Sequence, residues 1–313
     1  MTTSFAIRME DLTKTYGRGK TRVRAVEHIN LEIAAGQVFG FLGPNGAGKT
    51  TTIRMLMDLI RPTTGKVEIF GINARTPGAL RRVGALVEGP AFYGYLSARN
   101  NLEILARTAN DYRPARIQML FELVGLSANA TRRVGDYSQG MKQRLGIATA
   151  LLGDPDLVIL DEPTNGLDPA GIQEIRTLIR DLAARQGKTV FLSSHLLSEV
   201  EQICDRIAII NHGEIICEGP VAGLLAKGKS SLRVLTSPLE KAEGILAARW
   251  AVEREEDPLV QAVWLVVDAP ADESAEVVRL LVEGGVKVLQ AVRRRQTLEE
   301  YFMLATEKED PHA

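Results

Sequence analysis

Two hydrophobic rhythms run through the first two thirds of the chain. Over residues 7–12 and 25–33 apolar and polar side chains alternate, the period of antiparallel strands with one wet face. Residues 38–42, 157–160 and 189–192 are instead short unbroken apolar runs, as expected of strands buried on both faces. Residues 51–57 predict a helix directly after the first of these runs. Between residues 100 and 152 the spacing is mostly helical. Residues 172–184 predict an amphipathic helix with Ile172, Ile175, Leu178, Ile179 and Leu182 on one face. Strand and helix patterns alternate to about residue 225, which predicts a layered α/β domain.

Gly219-Pro220 and then residues 227–231 break the pattern and predict a linker. Beyond it the order changes. A strand is predicted over 231–236, a helix over 239–250, strands over 251–256 and 262–267, a helix over 274–283 and a strand over 286–292. That is β-α-β-β-α-β, a ferredoxin-like order. The domains are accordingly set at 1–228 and 229–313. Trp250 and Trp264 are expected in the core of the second, and Arg293-Arg294-Arg295 on a solvated strand edge.

Composition narrows the class. A length of 313 residues fits one large or two unequal domains. A net charge of −1 gives no electrostatic basis for nucleic acid as a partner. Cys204 and Cys217 lie in no CxxC or Cys/His cluster, so core positions in a cytosolic protein are expected rather than a disulfide or a metal site. The longest stretch without charge, residues 33–48, holds five glycines and a proline and is too short to span a membrane. The first residues lack a basic segment followed by an apolar one. A soluble, cytoplasmic protein is expected.

Chemistry enters at Gly43-Pro44-Asn45-Gly46-Ala47-Gly48-Lys49-Thr50, followed by Thr51. This is G-x-x-x-x-G-K-[ST] between a predicted strand and a predicted helix, so more than a glycine-rich turn is implied. Glycines let successive backbone N–H groups turn inward around a phosphate, and the helix N-terminus adds a positive dipole end. Lys49 is placed for the β- and γ-phosphates of a nucleoside triphosphate, and the Thr50 hydroxyl for Mg²⁺. Further on, the apolar run 157–160 ends in Asp161-Glu162-Pro163-Thr164. In phosphoryl transfer such an Asp is associated with Mg²⁺, and the next Glu is placed to activate a water as general base.

Between these motifs, residues 137–145 (YSQGMKQRL) resemble the signature sequence of ABC-type ATPases. A serine and a glycine before a helix can simply cap it, or they can grip the γ-phosphate of a nucleotide held by another subunit. The rest of the family's set follows in order. Tyr16 matches its adenine-stacking aromatic, Lys49 and Thr50 its phosphate lysine and metal ligand, and Ser138 and Gly140 its signature. Asp161 and Glu162 match the metal-associated Asp and catalytic Glu, Asp168 the D-loop Asp, and His195 in Ser193-Ser194-His195-Leu196 the switch histidine. The resemblance covers about residues 5–225. It implies an α/β P-loop ABC ATPase domain with a mixed-sheet core, an antiparallel β subdomain and a helical subdomain, followed by the small C-terminal α+β domain. The tail, residues 298–302 (LEEYF), is similar to the drug and antibiotic-peptide export branch of bacitracin, lantibiotic or daunorubicin type.

Two positions depart from the family pattern. Glu88 stands where a Gln is usual, as a metal ligand or as a contact to a membrane partner. Gln139 and Met141 replace the Gly and Gln of the commonest signature, while Ser138 and Gly140 remain. The family implies ATP and Mg²⁺ as cofactors, a second ATPase subunit forming a homodimer, and a separate integral-membrane permease that holds the chain at the cytoplasmic face. A soluble ABC ATPase acting on DNA or ribosomes is the alternative. Against it, the chain has one cassette and no long heptad segment. A GTPase lacks support, since no N-K-x-D reads guanine.

Overall fold

The computed structural model describes residues 5–227, 230–257, 262–295 and 297–300. Tyr301 and Phe302 of the export-branch tail lie outside them. The chain divides into two compact units between Val221 and Ala222, slightly ahead of the boundary expected after residue 228.

Two sheets build the first unit. Strands β1 (Phe5–Tyr16), β2 (Val23–Ala34), β4 (Thr64–Ile69) and β5 (Ile72–Asn73) form an antiparallel sheet in the order β2-β1-β4-β5. Both long strands overrun their alternating stretches by several residues. Register shifts along their pairing let Asp11 and His28 take φ of 49° and 48° within otherwise continuous strands.

The second sheet has the order β10-β9-β3-β8-β7-β6, with β3 (Val38–Leu42), β6 (Val83–Leu86), β7 (Leu157–Asp161), β8 (Thr189–Ser194), β9 (Arg206–Asn211) and β10 (Glu214–Pro220). All its neighbours pair in parallel except the β9–β10 hairpin, so the expected mixed sheet is present. Every residue of β3, β7 and β8 is buried. That explains why these strands read as continuous apolar runs rather than alternations. Phe191 packs its ring 6.0 Å from Phe39 and 5.6 Å from Phe41, aromatic contacts worth about 0.5–1.5 kcal/mol each beyond area burial.

Helix α1 (Lys49–Leu56) follows β3. It starts two residues before the predicted 51–57 because Gly48 takes φ 110° and turns the chain straight into it. Helices α2 (Ala98–Thr108), α3 (Pro114–Leu123) and α4 (Gln139–Ala150) are the helical stretch predicted between residues 100 and 152. Helix α4 lies very close to β6. A Cβ on Gly84 would meet the Ala150 carbonyl oxygen at 1.8 Å. One on Gly146 would meet Pro90 at 3.0 Å and Leu86 at 3.1 Å. Helix α5 (Pro169–Ala184) buries Ile175, Leu178, Ile179 and Leu182 of the predicted face, and α6 (Leu197–Val200) is a single turn after β8.

In the second unit, after α7 (Val221–Lys227) at the boundary, β11 (Ser230–Ser237), α8 (Leu239–Ala247), β12 (Val252–Asp257), β13 (Ala262–Val267), α9 (Ser274–Glu283) and β14 (Lys287–Arg295) follow in chain order. Their sheet has the order β12-β13-β11-β14 and is antiparallel throughout, the ferredoxin-like arrangement expected. Trp250 belongs to its core. Trp264 is buried too, with the Arg233 guanidinium 4.7 Å from its ring centre.

Candidate functional site

The parallel strands β3, β7 and β8 are neighbours and deliver their carboxyl ends to one place, the usual ligand-binding edge of an open α/β sheet. From β3 comes the loop 43–48. Gly46 and Gly48 have φ of 83° and 110°, values that side chains rarely allow. Gly48 is also hemmed in, since a Cβ there would lie 2.4 Å from the Ala25 carbonyl oxygen of β2. The antiparallel sheet thus braces the loop from behind.

Lys49 follows and is 6 % exposed. Its Nζ donates to the carbonyl oxygens of Gly43 (2.7 Å) and Pro44 (3.2 Å) and lies 3.2 Å from Oε1 of Glu162. The ammonium is fixed within the loop, beside the carboxylate at the end of β7. Next to it the Thr50 Oγ1 donates to Oδ2 of Asp161 at 3.1 Å, and the Ser193 Oγ of β8 donates to its Oδ1 at 2.5 Å. Both Asp161 oxygens are therefore oriented, one by α1 and one by the neighbouring strand β8.

Glu162 leaves β7 with φ 48°, a conformation that costs a non-glycine residue about 1–3 kcal/mol and that clusters at functional sites. Its amide donates to the Ser193 Oγ at 2.9 Å, and its Oε2 lies 2.8 Å from Nδ1 of His195. The carboxylate thus sits between an ammonium and an imidazole. Ser193 is the residue that sequence reasoning overlooked. It was read only as part of Ser193-Ser194-His195, yet it is fully buried and holds both Asp161 and the Glu162 amide. A pair of hydroxyls directly after the apolar run 190–192 was the signal available.

The Thr50 hydroxyl and the Asp161 carboxylate fit a magnesium ion. Mg²⁺ takes hard oxygen donors and typically keeps water and substrate phosphates in most of its shell, needing one or two protein groups. No group of three or more His, Cys, Asp or Glu side chains suited to a metal occurs among the described residues. Glu88 is engaged elsewhere: its exposed carboxylate, at φ 62°, pairs with Arg54 on α1. Glu88→Gln is therefore expected to keep the ATPase rate of the isolated subunit within several-fold, since an exposed ion pair is worth ~0–1 kcal/mol. Titrating Mg²⁺ in that assay checks it. Complete loss of activity would make the carboxylate a metal ligand.

The remaining predicted residues lie on separate elements. Tyr16 ends β1, 40 % exposed, with the Lys14 Nζ 5.0 Å from its ring centre. Ser138 caps α4, its Oγ accepting from the Met141 amide at 3.3 Å, and is exposed. Asp168 caps α5, accepting from the Gly171 amide at 3.1 Å. Gly140 is not demanded by local packing, because a Cβ there would lie 3.9 Å from Leu167, an ordinary contact. A bare backbone at an exposed helix start suits a close approach from outside the chain.

Comparison with known proteins agrees with this geometry. Residues 26–165 match the family model described as ABC transporter. The bacitracin transport ATP-binding protein BcrA of Bacillus licheniformis is 43 % identical over 305 residues, covering 96 % of this chain and 97 % of that protein. The lantibiotic transport ATP-binding protein SrtF of Streptococcus pyogenes is 41 % identical over 212 residues, 68 % of this chain and 90 % of its own length. Among solved structures, the dimeric post-hydrolysis state of the ATP-binding cassette MJ0796 bound to ADP and Pi matches with a TM-score of 0.61. It is 26 % identical and covers 69 % of this chain and 98 % of that one.

Proposed function

Because this chain belongs to the ATP-binding subunits of ABC transporters, an ATPase family, we propose that it powers a separate membrane permease exporting peptide antibiotics of the bacitracin or lantibiotic kind. Two copies would enclose two ATP molecules, each bound by the Lys49 loop of one subunit and the Ser138 signature of the other. Support for pairing comes from the dimeric cassettes it resembles. The peptide substrate is suggested by the transport proteins that match along 96 % of its length. Those same matches favour a transporter over a nucleic-acid or ribosome ATPase. No helix among the described residues is long and apolar enough to cross a membrane, and the permease is proposed as a separate polypeptide.

One observation carries the chemistry: Lys49, the Thr50–Asp161 pair and the Glu162–His195 pair converge at adjacent strand ends. In the proposed reaction a water oxygen attacks the γ-phosphorus as the bond to the bridging oxygen breaks, and the Glu162 carboxylate takes the water's proton. His195 orients that carboxylate through its Nδ1. Lys49 and the loop amides hold the phosphates in line. Mg²⁺, when bound by Thr50 and Asp161, adds positive charge against the phosphate oxygens.

Tyr16 would stack on adenine. Tyr16→Ala is expected to weaken ATP binding by roughly 1–3 kcal/mol, the scale of base–aromatic stacking, as read by calorimetric titration. Wild-type affinity would remove Tyr16 from the site. The functional reading is tested by co-reconstituting the chain with a polytopic permease of a bacitracin- or lantibiotic-type transporter. Bacitracin or a lantibiotic is expected to stimulate ATP hydrolysis in those vesicles. Stimulation by ribosomes or DNA, with indifference to the permease and the peptides, would overturn it.

A further inference from the structure

Thr164 and Glu199 are both polar and both buried, with 4 % and 6 % exposure. The Thr164 Oγ1 donates to Oε2 of Glu199 at 2.5 Å. In the sequence Thr164 stands out only as the last residue of Asp161-Glu162-Pro163-Thr164 and Glu199 not at all, and neither has a role in the reaction described above.

Their positions give the bond its meaning. Thr164 lies two residues beyond Glu162, in the turn closed by the Asn165 amide donating to the Glu162 carbonyl at 3.1 Å. Glu199 lies four residues beyond His195 on α6, with its amide donating to the Leu196 carbonyl at 3.3 Å. The bond thus ties together the two segments that leave β7 and β8, and each segment carries one half of the Glu162–His195 pair. It also anchors the far side of the turn that holds Glu162 at φ 48°.

Energetics argue that the pair is not there for stability. A buried carboxylate has a large desolvation penalty, and apolar groups of similar size usually serve a core at least as well. Glu199 makes no ion pair among the described residues, and the Thr164 hydroxyl is the side-chain donor it is given. A threonine–glutamate bond at this place does what two apolar side chains cannot, which is to fix a direction.

We propose that Thr164 and Glu199 form a positioning pair that sets the orientation of Glu162 towards His195 for ATP hydrolysis. The pair touches neither nucleotide nor the attacking water and acts through Glu162. This inference rests on the reading of Glu162 as the general base.

Steady-state ATPase assays on the full chain test it, with circular dichroism melting alongside. Thr164→Val removes the hydroxyl at nearly constant shape and is expected to lower kcat ~10- to 10²-fold with KM for ATP within about twofold, the signature of a misaligned group rather than lost binding. Thr164→Ser keeps the donor and Glu199→Gln keeps an acceptor, and both are expected to restore most of kcat. Thr164→Val combined with Glu199→Leu is expected to be no slower than the slower single variant, as for two halves of one contact. Wild-type kcat in Thr164→Val beside an inactive Glu162→Gln control overturns the pair alone. Equal losses in Thr164→Val and Thr164→Ser that track melting temperature also overturn it, by showing a purely structural role. Retained turnover in the Glu162→Gln control overturns the general-base reading itself, and the pair falls with it.

Discussion

Glu162→Gln is expected to slow ATP hydrolysis ~10²- to 10⁴-fold, the range a positioned general base contributes, while ATP still binds. The substitution is nearly isosteric, so the left-handed turn and the amide bond to the Ser193 Oγ survive. The amide oxygen also still accepts from Lys49 or His195, which now meet a neutral partner. What disappears is the proton acceptor. In the proposed enclosure of ATP between two subunits, blocked hydrolysis leaves the enclosed state as an endpoint. An ATP-dependent dimer should therefore accumulate in size-exclusion chromatography. Single-turnover hydrolysis near the wild-type rate would remove Glu162 from the role of base.

The second large effect lies at Lys49. Lys49→Ala is expected to weaken ATP binding by roughly 10- to 10²-fold or more, because a hydrogen bond to a charged group contributes about 1.5–3 kcal/mol. Nearly all of the side chain is buried, with its ammonium already aimed into the loop. Little ordering then remains to be done when a phosphate arrives. The substitution also strips Glu162 of its ammonium neighbour at 3.2 Å, so any residual hydrolysis should fall further than affinity alone explains. Fluorescent-nucleotide titration separates the two effects. Unchanged affinity would count against the phosphate-loop assignment. The two variants have opposite signatures, since one binds without turning over and the other fails to bind.

Much of this site was legible before the structure because its parts are local. A strand, a glycine-rich turn and a helix start can be read in one window, and residues 38–56 needed nothing else. The run ending in Asp161-Glu162 was equally plain, since strands buried on both faces leave unbroken apolar stretches. Strand β6 was missed for the complementary reason. It is four residues long and carries Gly84, which weakens any strand pattern, and that glycine answers to the Ala150 carbonyl of a helix more than sixty residues away. Long-range demands of this kind leave no local periodicity. Glu88 shows the same limit in a side chain. Its unusual identity was visible, but its engagement with Arg54 depends on how α1 lies against the end of β6. Ser193, Thr164 and Glu199 act across strands, and a pair separated by thirty-five residues has no spacing rule to betray it.

The close seat of α4 against β6 has a mechanical consequence. Ala150 and Gly146, in the carboxyl half of that helix, sit close on Gly84, Leu86 and Pro90: a Cβ on Gly84 would clash outright, and one on Gly146 would crowd its neighbours. The amino end, at Ser138, is exposed and capped by its own hydroxyl, while Tyr137 just before it is buried with its hydroxyl donating to the Asn129 carbonyl, and Arg144 further along donates to the Val124 carbonyl. A helix is stiff along its axis, and twelve residues span about 18 Å, so α4 behaves as a rod clamped at its β6 end and packed along its length. Pro90 follows Glu88 by two residues, which puts that segment at the clamp. A shift of the Glu88–Pro90 segment would therefore be passed to α4 as a movement of the whole helix, because the close contacts at Gly84 and Gly146 leave little slack to absorb it.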